Sequence, residues 1–309
     1  MNYRLQPGDL VEVRNAAEIL SSLDSKGTLE GLPFMPEMLG FCGRRYRVFQ
    51  RVVQMAIDDV TQPLRGFKKD DVVLLDGLRC SGLDHDGCQR GCMIFWREAW
   101  LEKVKDARIQ SSPLLAGKDK LRARLETSAG PGVFFCQSSQ LQKVSDRLSH
   151  LQRIKNCFGA VRVGNCSVFG MAKRLAVWAW WKGRQKLMGP HPRGKQKPTP
   201  VESLNLQPGD LVEVKTLAEI TKTLDKNGKN RGLHFSADMR LFCGKQFRVS
   251  SRADRLIAEM TGQMGGFSHT VILEGLTCDS NYYAFGGCPR MDFLYWREIW
   301  LKRVDAKSA

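Results

Sequence analysis

Nine consecutive residues occur twice: Leu5 to Val13 reads LQPGDLVEV, and Leu206 to Val214 reads the same letters. A chain with such an identity is built from two copies of one unit, so any fold assigned to the first copy must also serve the second. The register continues through Phe41-Cys42-Gly43 and Phe242-Cys243-Gly244, and through Arg47-Val48 and Arg248-Val249. It closes on Trp96-Arg97-Glu98 against Trp296-Arg297-Glu298. These matches place one unit over residues 1–104, a second over 204–309, and a connector over 105–203. At 309 residues the chain has room for two separate hydrophobic cores.

Each unit opens on a turn, Pro7-Gly8-Asp9 or Pro208-Gly209-Asp210, followed by Leu-Val-Glu-Val, which reads as a short strand. Ala16 to Leu23 and Leu217 to Leu224 carry apolar residues at helical spacing and stop at a glycine turn, so a short helix is expected in each. Strands are expected at Tyr46 to Val53 and Phe247 to Ser250, at Val72 to Leu75 and Val271 to Leu273, and at Met93 to Leu101 and Phe293 to Leu301. The expected fold is mainly β (α+β): two tandem, small, SH3-like antiparallel barrels or rolls joined by a basic, partly helical connector. Within the connector, Ser138 to Ile154 is expected as one amphipathic helix, and Ser111 to Gly130 as a charged loop.

The chain has ten cysteines, and its start lacks the pattern of a secretory leader. No apolar run approaches the ~20 residues that span a bilayer. A cytoplasmic, reducing setting with free or metal-bound thiols is therefore expected, with a peripheral position at a membrane surface as one option. In the first unit Cys42, Cys80, Cys88 and Cys92 fall in loops or at strand ends, and Gly87-Cys88-Gln89-Arg90-Gly91-Cys92 lets the chain fold back to offer two thiolates. Four thiolates suit tetrahedral zinc. The second copy repeats three of the four as Cys243, Cys278 and Cys288 and places Asp292 opposite Cys92, which allows a Cys3Asp site, an open coordination position, or no metal. The plain alternative is that these thiols pack as small apolar side chains. Cys136, Cys157 and Cys166 have no spacing that argues for a ligand role.

The net charge of +16 is concentrated in the connector: residues 105–200 hold 19 Lys/Arg and 4 Asp/Glu. Such a block suits an anionic partner, either nucleic acid or a membrane surface, or it serves as a solvated linker. Within Phe169 to Leu187, the candidate partner-binding residues are Lys173, Arg174, Trp178, Trp181, Lys182, Arg184 and Lys186, because aromatic rings among cations suit lipid headgroups and also nucleic-acid bases and phosphates. A helix docked on one of the units, with its cations in water, is the bland alternative. The tryptophan pairs Trp96/Trp100 and Trp296/Trp300 are expected in the cores, with a recognition surface as the competing use.

The string from Arg79-Cys80-Ser81-Gly82 through Gly87-Cys88-Gln89-Arg90-Gly91-Cys92 to Phe95-Trp96-Arg97-Glu98-Ala99-Trp100-Leu101, together with Phe135-Cys136-Gln137, resembles a bacterial family of uncharacterised proteins with duplicated Cys-rich units. That resemblance implies no activity. The expectation from the residues is a non-enzymatic zinc-binding adaptor that docks on an anionic partner or another protein. Two enzyme readings stand beside it. One makes Cys88 or Cys92 a nucleophile with His85 as base. The other gives the second site, with Asp292, a zinc-bound water.

Overall fold

The computed structural model describes residues 4–58, 64–104, 117–189, 192–279 and 284–304. Each unit is a five-stranded antiparallel sheet with short helices. From edge to edge, the first sheet runs Met93–Arg97, Val72–Arg79, Arg45–Arg51, Leu10–Val13, Leu101–Lys103. The second runs Phe293–Arg297, Thr270–Thr277, Gln246–Arg252, Leu211–Val214, Leu301–Arg303. The registers repeat as well as the order. Val11 faces Tyr46 and Lys103, while Val212 faces Phe247 and Arg303. Both sheets shift register at the same place, between Val48 and Gln50 and between Val249 and Ser251, as a β-bulge does.

The helices are α1 (Ala16–Ser22), α2 (Lys118–Arg124), α3 (Gln137–Val144), α4 (His150–Arg162), α5 (Val168–Met188) and α6 (Leu217–Thr221). The expected repeat helices are thus α1 and α6. Each begins in a capping box, Asn15 with Glu18 and Thr216 with Glu219, which satisfies otherwise orphaned backbone amides.

Alternation along the strands buries one face. Val11, Val13, Val212 and Val214 have no exposed surface, and neither do the four tryptophans Trp96, Trp100, Trp296 and Trp300. The tryptophan pairs are core. Phe34 meets Trp100 edge-on with ring centroids 5.3 Å apart, and Phe235 meets Trp300 at the same 5.3 Å. The repeated glutamate of Trp-Arg-Glu also has a structural task. Glu98 accepts the Leu5 amide at 2.8 Å and pairs with the fully buried Arg51. Glu298 likewise accepts the Leu204 amide at 2.6 Å and pairs with Arg252 at 3.3 Å. Each unit is fastened at its entry by its own last motif.

The connector differs from expectation. Instead of one helix over Ser138 to Ile154, α3 stops at Val144, Ser145–Arg147 pairs as a strand with Arg65–Phe67, and α4 starts from a Ser149 cap. Arg65 explains the break: its guanidinium donates to Ser145 Oγ at 2.9 Å and to the Gln142 carbonyl at 2.8 Å, which holds the chain extended. The stretch expected as a charged loop contains α2, while residues 105–116 lie outside the described residues. Leu121, Cys136, Leu141 and Val144 all pack in the core of the first unit. Gln137 extends that unit's sheet: its side chain accepts the Phe95 amide at 2.8 Å and donates to the Phe95 carbonyl at 2.8 Å, so it completes an edge strand in place of a neighbouring backbone.

The units exchange loops. The Cys88 loop lies against Arg255–Ile257 of the second unit, where the Gln89 amide donates to the Arg255 carbonyl at 2.8 Å. The Cys288 loop lies against Gln54–Ala56 of the first, where Arg290 Nη1 donates to the Ala56 carbonyl at 2.7 Å. Between the loops, Arg90 reaches Asp58 at 2.8 Å and Glu259 at 3.3 Å, and Arg290 reaches Glu259 at 2.9 Å. Asp58 and Glu259 occupy the same place in the repeat, as do Arg90 and Arg290, so the duplicated chain packs on itself as a symmetric dimer would.

Candidate metal centre

The cysteine loops sit where the first unit, the connector and the second unit meet. Cys80 follows directly on Val72–Arg79, and its amide donates to the Cys92 carbonyl at 2.8 Å, which closes the loop that carries both thiols. The loop turns tightly at Gly82, whose φ is +70° and where a Cβ would come within 1.9 Å of the Cys88 carbonyl oxygen, so only glycine fits. That turn brings His85 and Cys88 back toward Cys80. The Cys80, Cys88, Cys92 and Cys136 side chains line one cavity of about 30 Å³, together with His85, Ser138, Ile257 and Arg290. Cys136, from the connector, enters this cavity. Cys42 does not line it: Cys42 packs in the hydrophobic core, 1% exposed, with its thiol pushed up to about 11 by burial.

One oxygen of Glu37, one ring nitrogen of His85 and the Cys80 sulfur lie within 4.8 Å of one another. Among the described residues this is the one group of three or more such donors at that spacing. His85 is 1% exposed, with Nδ1 2.6 Å from Glu37 Oε1 and Nε2 3.2 Å from the Phe135 carbonyl. A backbone carbonyl only accepts, so Nε2 carries a proton, while Nδ1 shares a proton with the Glu37 carboxyl group, an arrangement that favours the charged ring. Burial opposes that charge, but the Glu37 contacts outweigh it and raise the His85 pKa. Among the buried polar atoms left without a hydrogen-bond partner here are Glu37 Oε2 and Ser138 Oγ.

Burial favours the protonated form of the Cys80, Cys92 and Cys136 thiols. The Cys80 pKa is driven far up by burial, reinforced by Glu37 and Cys92. Cys92 is pushed up to about 12 by burial, against the opposing pull of Arg90 and Arg290. Cys136 is also raised, mainly by burial. None of the ten cysteines is joined in a disulfide. A divalent cation is the partner that would stabilise such buried thiolates, and thiolate, carboxylate and imidazole are the donors borderline-soft transition metals accept.

The second unit repeats the framework with different donors. The Cys278 amide donates to the Asp292 carbonyl at 2.7 Å, as Cys80 does to Cys92. Asp238 takes the place of Glu37, is 1% exposed, and accepts the Asp279 amide at 3.1 Å. Burial drives the Cys278 pKa far up, with Asp238, Cys288 and Asp292 adding to the rise. Asp292 lies 3.3 Å from Arg290, and Cys288 accepts the Ala56 amide at 3.2 Å across the junction. Cys243 ends a 3-10 helix, as Cys42 does, and packs at the margin of the second core. At the place of His85 stands Phe285, which packs on Trp178 with centroids 4.9 Å apart.

Among the connector residues expected at a partner surface, Lys173, Lys182 and Lys186 are exposed and Arg174 and Arg184 half-buried. Trp178 and Trp181 turn inward instead: Trp178 lies on Phe285, and Trp181 is 3% exposed with Arg184 over its ring at 5.4 Å.

Glu37 was not legible as a site residue from spacing, although the repeat holds the signal: an acid stands at the same register in both copies, Glu37 and Asp238. Cys136 has no counterpart in either repeat and is placed only by the fold. No protein-family model, no curated protein and no solved structure matches this chain.

Proposed function

We propose that this chain is a non-enzymatic zinc-binding adaptor: a pair of SH3-like β units stapled by a metal at their junction, docking on an anionic partner through the connector. The observation that carries the metal is the buried Glu37 carboxylate, which has an oxygen within 4.8 Å of the Cys80 sulfur and leaves Oε2 without a hydrogen-bond partner, next to a cavity lined by four cysteines, Cys80 among them. Glu37 and Cys80 would supply two ligands, and the other cysteines lining the cavity, Cys88, Cys92 and Cys136, are the candidates to complete the four that structural zinc takes. His85, with both nitrogens committed to acceptors, would position Glu37 rather than bind metal. Likeness to the bacterial family with duplicated Cys-rich units belongs to the same reading and adds no activity.

A structural use of the site is favoured over catalysis by two features. The cavity, about 30 Å³, has room for an ion or a water, whereas small-molecule sites run to roughly 300–1,000 Å³. A thiol enzyme also needs an imidazole able to take the thiol proton, and His85 has no free nitrogen to offer Cys80.

Metal analysis of the chain purified under reducing conditions tests the staple. About one zinc per chain is expected, lost in Cys80→Ser and Cys136→Ser and kept in Cys42→Ala, with chelation lowering the unfolding temperature. A chain that folds with substoichiometric metal and ignores chelators would refute it.

A further inference from the structure

Residues 148–200 carry 11 Lys/Arg and no Asp or Glu, and eight of those cations lie on α4, α5 and the turn between them. Among the described residues none of the eight is within 4 Å of a carboxylate, so this charge is uncompensated. The same two helices expose unusual apolar surface. Of the twelve exposed large hydrophobic side chains among the described residues, seven lie between Leu151 and Leu187. Single exposed apolar residues need no explanation, whereas a concentration of them on one helix pair marks a contact surface.

The spacing shows how α5 divides its work. Phe169, Ala176, Trp180 and Leu187 are separated by seven, four and seven residues, which puts them in one row on a helix. Phe169 is 82%, Trp180 62% and Leu187 88% exposed. Met171, Trp178 and Trp181 lie on the other side and pack on the protein. On α4, Leu151, Ile154 and Phe158 form a second row at helical spacing, 80%, 47% and 74% exposed. Composition alone makes the three α5 tryptophans a poor single stripe, and the fold resolves them into a docked face and an outward face.

We infer that the outward faces of α4 and α5 seat the protein on an anionic lipid bilayer, lying in the headgroup plane; this deepens the adaptor reading above by naming its partner. The rows supply the apolar insertion that interfacial helices use, and the flanking cations meet lipid phosphate. No helix among the described residues is long and apolar enough to cross a membrane, which agrees with a flat-lying contact. Nucleic acid is the poorer fit, because the outermost row contains Ala176 and Leu187, which do not stack on bases. A second copy fits poorly too: apposed helix pairs would set eight cations against eight with no carboxylate between them on either helix.

Sedimentation of the full chain with vesicles of phosphatidylcholine alone, or with phosphatidylglycerol in equal parts, is the test. Binding is expected to the anionic vesicles and not to the neutral ones. Phe169→Ser/Trp180→Ser/Leu187→Ser should weaken it by about tenfold or more, and Lys173→Glu/Lys182→Glu/Lys186→Glu by roughly a hundredfold. Quenching by brominated lipid should fall in Trp180→Phe while binding persists. All are exposed positions, and circular dichroism with metal content on the same samples verifies that the variants are folded. Failure to sediment with anionic vesicles, or binding that ignores the apolar triple substitution, would overturn the inference. Salt-sensitive binding to duplex DNA without vesicle binding would overturn it while leaving the anionic-partner adaptor standing. Self-association abolished by the apolar substitutions, again without vesicle binding, would replace lipid with a second copy. Loss of zinc from the unsubstituted chain would bear on the staple alone.

Discussion

The junction between the units rests on Arg290, and removing its charge should cost a large part of the stability. Arg290 is 3% exposed and donates to the Ala56 carbonyl at 2.7 Å and to Glu259 at 2.9 Å. The Glu259 side chain is fully buried, with 0% of its surface exposed. In Arg290→Met, Glu259 keeps only Arg90 at 3.3 Å as a cationic partner among the described residues. Breaking a buried pair by deleting one member costs about 3–5 kcal/mol, because the remaining charge stays buried and poorly compensated. Taking ~4 kcal/mol, and a urea slope of about 3 kcal/mol/M for a chain of this size, the unfolding midpoint followed by tryptophan fluorescence should fall by about 1.3 M. Adding Glu259→Leu removes the stranded carboxylate, so the double variant should recover at least half of the loss; Arg90 retains Asp58 at 2.8 Å. A single variant that costs under ~1 kcal/mol, or a double variant whose losses simply add, would refute this account of the junction.

Leu141 on α3 has no exposed surface and packs in the first core, so Leu141→Ala should cost about 2–5 kcal/mol in urea unfolding; a cost under ~0.5 kcal/mol would mean that the connector is an appendage. The Glu219 carboxyl, lowered to about 2 first by the Thr216 hydroxyl and amide and then by Lys302, should titrate there in carbon-detected NMR and move up in Thr216→Ala. Because its folded pKa lies below the ordinary 4.5, the stability it lends to the α6 cap is fully present above 4.5 and is lost as pH falls through about 2. A midpoint near 4.5 in the unsubstituted protein would contradict the cap.

Local regularities were legible without the fold. The nine-residue identity announced two equivalent units, and the equivalent sheets follow because identical strands and turns make identical short-range choices. The capped helices α1 and α6 and the strands ending at the paired tryptophans could be read from period and turn residues, as each depends on neighbours a few positions away. Cys80, Cys88 and Cys92 were legible as a group because one loop holds them. Glu37 and Cys136 were not, since they reach that loop across the fold from a 3-10 helix and from the connector, and no sequence period encodes such an approach. The break between α3 and α4 had the same cause: helical spacing favours one long helix, but the sheet partner at Arg65–Phe67 and the Arg65 guanidinium, some eighty residues earlier, overrule it. Tertiary structure also decided which face of α5 is available. Composition placed tryptophans and cations on one segment, and only packing against Phe285 turned Trp178 inward and left Trp180 facing out. Sequence thus determined the units and their local elements through short-range sterics and patterning, whereas contacts distant along the chain determined which donors converge and which surface stays open.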